Sequence, residues 1–211
     1  MPVISPGLMK GIIITAGIAL VLLTSSAYAN KVINKKEGKF FMPMIEQEWA
    51  RNASEMKEPP SKGSLIFDTI LFVPLYVVVF YILASQIQSH GDNKSIIYFA
   101  ILGCAVVAAL ADWTENFSIW QIGFGSGNGS YYEIKTYACF VKWLLIGVAA
   151  VFVSLGYASI KNFWVAIPGF INAVILLYGT IFDHALIQWG FGLLGIILLI
   201  ASLFLQAGMI G

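Results

Sequence analysis

The sequence predicts an all-α integral membrane protein, a compact bundle of six transmembrane helices, or five if residues 1–29 are a cleaved signal peptide. Three observations lead there. Hydrophobic residues make up 59% of the 211-residue chain and charged residues only 11%, whereas soluble domains carry about a quarter charged residues. A soluble core of this size has no room for so much apolar surface, so lipid must solvate the remainder. The apolar residues also run on continuously for about 20 positions at a time, the length a helix needs to cross a bilayer. Membrane β-strands would instead alternate apolar and polar residues.

The first apolar run, 11–29, is open to two readings. Lys10, then Gly11–Leu23, then Ala27-Tyr28-Ala29 has the form of a secretory signal with an A-x-A cleavage site. Lys31, Lys35, Lys36 and Lys39 follow at once, and a basic cluster there resists translocation and favours a retained first span. Residues 30–64 form the one long polar connection. Within it Pro43 suits a first helical turn. Ile45, Trp49, Ala53 and Met56 follow at helical spacing, with Glu46, Glu48, Arg51 and Glu55 assigned to other faces. The pattern predicts a short amphipathic helix lying along the membrane interface or capping the bundle. Pro59-Pro60 ends it. Residues 65–211 are the membrane bundle, with spans at 65–87, 95–114, 136–158, 163–183 and 187–208. Short connections between the later spans favour an up-and-down arrangement.

Lysine and arginine set the expected orientation. The face holding loops 30–64 and 115–135 carries Lys31, Lys35, Lys36, Lys39, Arg51, Lys57, Lys62 and Lys135, against Lys10, Lys94 and Lys161 on the other. Eight against three places the first face in the cytoplasm,. A bacterial inner (plasma) membrane is the expected location.

Several motifs are superficial. Gly123, Gly125, Gly127 and Gly129 resemble a phosphate loop, but no strand precedes them and no G-K-[ST] follows, so a linker is expected,. Gly190-x-Gly192-x-x-Gly195 matches a dinucleotide fingerprint by letter, yet lies inside a span without a βαβ unit,. Close helix packing through small residues explains it better. Cys104 and Cys139 fall at different depths, which argues against a disulfide,. No G-x-S-x-G or H-E-x-x-H occurs, so no catalytic residue is assigned and neither a metal nor a cofactor is expected,. A net charge of +1 gives no basis for nucleic-acid binding,. The expected partners are the lipid bilayer and either a second copy of this chain or the subunits of a membrane complex.

The informative feature is a set of ionisable residues at or near the ends of the spans: Asp68, Asp112, Glu115, Lys142, Asp183 and His184. Charge in hydrocarbon is costly, and such residues face the protein interior, pair, or mark function. Ala105, Ala108, Ala109 and Asp112 form one helical stripe that Asn116 extends, so Asp112 and Asn116 should face a neighbouring helix,. Glu115 lies on the same side, and Lys142 in the next span reaches a similar depth,. Pairing of Lys142 with Asp112 or Glu115 is therefore expected. Asp68 joins them from one turn inside its span, with Phe72 and Tyr76 continuing its face. Pro74 should free a backbone carbonyl nearby. The expected polar nest is Asp68, Asp112, Glu115, Asn116 and Lys142, with Tyr76, Asp183 and His184 as possible additions.

The elements Asp68-x-x-x-Phe72-x-Pro74-x-Tyr76, Ala111-Asp112-x-x-Glu115-Asn116 and Lys142-Trp143 together resemble a group of bacterial multi-spanning membrane proteins. The resemblance covers roughly residues 64–145 and implies that these side chains act as one unit. It implies no particular reaction. Three roles stay open for the nest: a structural ion-pair network, an ion, proton or solute pathway, and an acid–base or metal site. The expected function is transport-like or that of a membrane-complex subunit. The alternative is a membrane-embedded enzyme acting on a lipid-phase substrate. A pathway needs an aqueous cavity reaching Asp112 and Glu115, an enzyme needs a lateral opening to lipid, and a structural network should be closed.

Overall fold

The computed structural model describes residues 5–34, 38–52, 54–56, 61–90, 95–125 and 129–206. Helix α1 (Pro6–Ile33) starts with Pro6 in its first turn and Ser5 as its cap. Helix α2 (Pro43–Trp49) is a short segment between spans. Helices α3 (Lys62–Phe67) and α4 (Val73–Gln88) are joined by a π-helical turn, Asp68–Phe72, into one continuous span. Helices α5 (Ser95–Phe124), α6 (Gly129–Ser159) and α7 (Phe163–Ile181) follow. A 3-10 turn (His184–Leu186) leads into α8 (Ile187–Gln206). Among the described residues, six helical segments are long and apolar enough to cross a membrane.

The π turn has a legible cause. Pro74 brings no N–H to the ladder, and the turn shifts to i→i−5 bonding, so that Val73 N–H reaches Asp68 O. In that register Pro74 leaves the Thr69 carbonyl without its donor. The indole N–H of Trp113 supplies one at 3.0 Å. The freed carbonyl expected from Pro74 thus exists, and it binds Trp113.

From the second span onward successive spans pack on one another, and α8 closes back onto α1. The α1–α8 crossing is close because both helices present glycine there. A Cβ on Gly17 would lie 2.9 Å from Gly195 O, and one on Gly195 the same distance from Gly17 O. The arrangement inverts a soluble protein. Along α5, Ile96, Phe99, Val106 and Leu110 face outward, while Ala105, Ala108, Asp112, Glu115 and Asn116 are buried. That is the pattern expected when lipid is the solvent and small or polar residues mediate helix contact.

Two boundaries differ from expectation. Helix α5 continues to Phe124 and α6 begins at Gly129, so most of the expected 115–135 connection is helical. Ten further residues of α5 carry few helix breakers, and an isolated glycine is tolerated in a helix at modest cost. As a result the charged residues lie well inside the bundle. Lys142 is about 20 Å along α6 from Gly129 at 1.5 Å per residue.

Candidate functional site

Helix α5 presents Asp112 and Glu115 on one face, as i,i+3 spacing dictates. Helix α6 presents Lys135, Cys139, Lys142 and Trp143 along the face opposite, all buried. The Lys142 ammonium lies 2.7 Å from Glu115 Oε2, 3.0 Å from Glu48 Oε1 and 3.3 Å from Asp112 Oδ1. The expected pairing of Lys142 with Asp112 and Glu115 is present on both sides. Asn116 Nδ2 donates to Asp68 Oδ2 at 2.7 Å. Asp68 therefore joins the nest through Asn116, and Lys142 makes its three ion pairs elsewhere.

The third carboxylate at Lys142 comes from α2, which packs against α6 and the 3-10 turn. Its Ile45 is fully buried, and Glu48 is only 6% exposed. Glu48 stands three residues from Ile45, so it shares that buried face and not the polar one. Trp143 Nε1 donates to Glu48 Oε2 at 2.8 Å, and the Cys139 thiol lies 3.8 Å from the same oxygen. Both ends of α2 are held. At its start, the backbone N–H groups of Phe41 and Met42 donate to Gln188 Oε1 at 2.6 and 2.7 Å. At its end, the Lys135 ammonium donates to Gln47 O and Glu48 O at 2.8 and 2.7 Å. A cation on the last carbonyls of a helix satisfies groups that have no intrahelical partner. Lys135 was expected in a loop, and it is 0% exposed. It stands seven residues before Lys142, two turns along the same face, which is the signal that locates it once α6 is extended.

Asp183 and His184 lie apart from the nest. Asp183 caps the 3-10 turn through Ala185 N–H at 3.3 Å. His184 stacks flat on Trp49, with ring centroids 3.5 Å apart and planes 6° apart, and its Nδ1 is 3.0 Å from Gly179 O. Their chain neighbourhood at the end of α7 turns them toward α2, not toward Lys142. Tyr76 does reach the nest. Its hydroxyl comes up to Asp112, yet it is buried without a hydrogen bond of proper geometry.

A cavity of about 310 Å³ adjoins these groups. Glu48, Asp68, Tyr76, Asp112 and Lys142 line one end, and Leu75, Val79, Leu83, Leu194 and Leu198 line the rest. From Asp68 to Leu83 it follows α4 for about 22 Å, at 1.5 Å per residue. Helices α1 and α4, which would close the ring of spans, touch only sparsely. The residues flanking that seam, Leu23, Phe67 and Leu71, line the cavity and are exposed. The cavity therefore opens sideways, between α1 and α3–α4, where lipid would lie.

The nest sets four carboxylates (Glu48, Asp68, Asp112 and Glu115) against two ammonium groups (Lys135 and Lys142). Lys142 is enclosed by carboxylates and Lys135 by carbonyls. Asp68 and Asp112 bring carboxylates to the cavity end, and among the described residues the one cation lining it, Lys142, is already ion-paired. Ligand atoms of Glu48, Glu115 and Cys139 lie within 4.8 Å of one another, a spacing that could hold a metal ion. The Lys142 ammonium already bonds both carboxylates there, and a metal would have to displace it.

Comparison with protein-family models, with curated proteins and with solved structures finds no match. Fold and site together define the class: an all-α membrane protein of six spans with a buried carboxylate–lysine cluster at the head of an apolar cavity.

Proposed function

We propose that this protein binds an amphiphilic small molecule from the lipid phase, its apolar part lying along α4 and its polar end against Asp68, Asp112 and Tyr76. The supporting observation is the cavity, which opens toward lipid at the α1–α4 seam and ends on buried charge. Its volume of about 310 Å³ is at the small end of the range for ligand sites,. A bundle that used the nest only to hold helices together would have no need of such a space beside it. Carriage of the molecule across the membrane and chemistry upon it both begin with this binding step, and transport-like handling is the function we favour. The proposed setting is a bacterial plasma membrane with residues 30–64 at the cytoplasmic side. Without Lys135, which is buried in α6, seven basic residues still stand against three,.

The test is cavity filling. Organic extraction and mass spectrometry of the purified full-length protein should find a co-purifying amphiphile. Ala16→Phe and, separately, Leu194→Trp should each reduce its amount at least about tenfold while the protein stays folded by circular dichroism. Retention of the same molecule by both folded variants would overturn the proposal.

A further inference from the structure

The cavity wall next to the carboxylates is aromatic. Phe72, Tyr76, Trp143 and Phe191 all line it. They form one connected run: Tyr76 to Phe72 at 6.2 Å, Phe72 to Phe191 at 6.1 Å, and Phe191 to Trp143 at 5.1 Å between ring centroids. Aromatic faces carry negative quadrupole density and attract cations, most strongly where water is excluded, and rings grouped around a pocket are a known way to hold ammonium groups. One ring here already does this for the protein's own cation, since the Lys142 ammonium lies 5.2 Å from the Trp143 centroid.

Charge points the same way. Asp68 and Asp112 bring carboxylates to the cavity, where Asn116 donates to Asp68 Oδ2 and Lys142 pairs with Asp112 Oδ1. Among the described residues, the one cation lining the cavity, Lys142, is surrounded by Glu48, Asp112 and Glu115, so an anionic head group would meet carboxylates and an ammonium already paired. A neutral head would bring no counter-charge to the Asp68 carboxyl, which lies outside the Lys142 ion pairs. We infer that the molecule bound in this cavity is a lipophilic cation, an amine or quaternary ammonium on a hydrocarbon chain. Its head lies between Asp68, Asp112 and the aromatic wall, and its chain runs toward Leu83. This inference rests on the amphiphile-binding reading above and narrows it to one charge class.

The experiment places the full-length protein in phosphatidylcholine nanodiscs. It measures equilibrium binding of three radiolabelled probes that share a chain and differ in head: dodecyltrimethylammonium, dodecanol and dodecyl sulfate. Binding to protein-free discs is subtracted. The cation should bind saturably and at least about tenfold more tightly than dodecanol, the size expected of a desolvated cation–π and charge contact. Dodecyl sulfate should bind most weakly. Asp68→Asn removes a carboxylate outside the Lys142 ion pairs, and Phe191→Leu removes a ring and no charge. Each should lower cation affinity about fivefold or more and dodecanol affinity by less, so that the preference for the cation narrows. Should dodecanol or the sulfate bind as well as the cation, the charge assignment fails while amphiphile binding stands. The same holds if neither variant alters the preference. If no probe saturates above the empty discs, amphiphile binding itself falls, and the charge assignment with it.

Discussion

At the scale of single residues, Lys142 decides the state of its neighbours. Three carboxylates converge on one ammonium in a region closed to water. Such a group is tolerated only while the counter-charge is present, because desolvating an unpaired charge is far costlier than the pair's net worth. Lys142→Met should therefore destabilise the protein by at least about 3–5 kcal/mol, the range for breaking a buried ion pair. Unfolding in mixed detergent followed by circular dichroism would measure it. Adding Glu115→Gln to Lys142→Met should recover part of the loss, since one carboxylate fewer then lacks a partner. An additive or worsening second change would contradict the account. Asp112 and Glu115 were legible in the sequence because they lie on the side of α5 marked by small residues, and Lys142 because it reaches a similar depth in the next span. Glu48 was equally legible by its spacing from Ile45. It was assigned to another face, because the pattern from Ile45 to Met56 set every glutamate of the segment on the polar side.

At the scale of elements, α2 is the piece whose position the sequence left open. Seven residues are too few to hold a helix in place by themselves. Its placement comes from Gln188 in α8 and Lys135 in α6, partners about 140 and 90 positions away in the chain, at contacts separated by 147 and 87 residues. Lys135→Met removes both hydrogen bonds to the end of α2 and keeps the apolar stem. Charge-assisted hydrogen bonds contribute about 1.5–3 kcal/mol. Amide hydrogen exchange across residues 43–49 should then quicken at least about tenfold, with α7 unchanged. Unaltered protection of α2 would mean that Gln188 and the packing of Ile45 suffice. The π turn is a different case. Pro74 announced a disturbance of the second span, but only the approach of Trp113 from α5 determined that the freed carbonyl would bind an indole.

At the scale of the whole molecule, the N-terminal segment is part of the bundle. Helix α1 contributes the buried Ile13 and Ala16 to the core and crosses α8 through Gly17 and Gly195. It also forms one side of the seam that opens the cavity. Cleavage after Ala29 would strip that wall away and expose the leucines of α8. Intact-mass measurement of the purified mature protein should accordingly include residues 1–29. A mass beginning at Asn30 would overturn this and leave a five-span protein with an open groove.

The sequence by itself determined the class of protein and the spans, because length and hydropathy register directly against the thickness of a bilayer. It also determined the inward-facing row from Ala105 to Asn116, because the 3.6-residue period and small side chains specify a buried face without reference to any partner. Tertiary structure alone decided that Glu48 completes the coordination of Lys142, that Asp183 and His184 stand apart, and that an apolar cavity walled by aromatic rings begins where the charges end. These depend on which helices become neighbours and how closely they approach. That outcome is set by contacts between residues distant in the chain, and no local period encodes it.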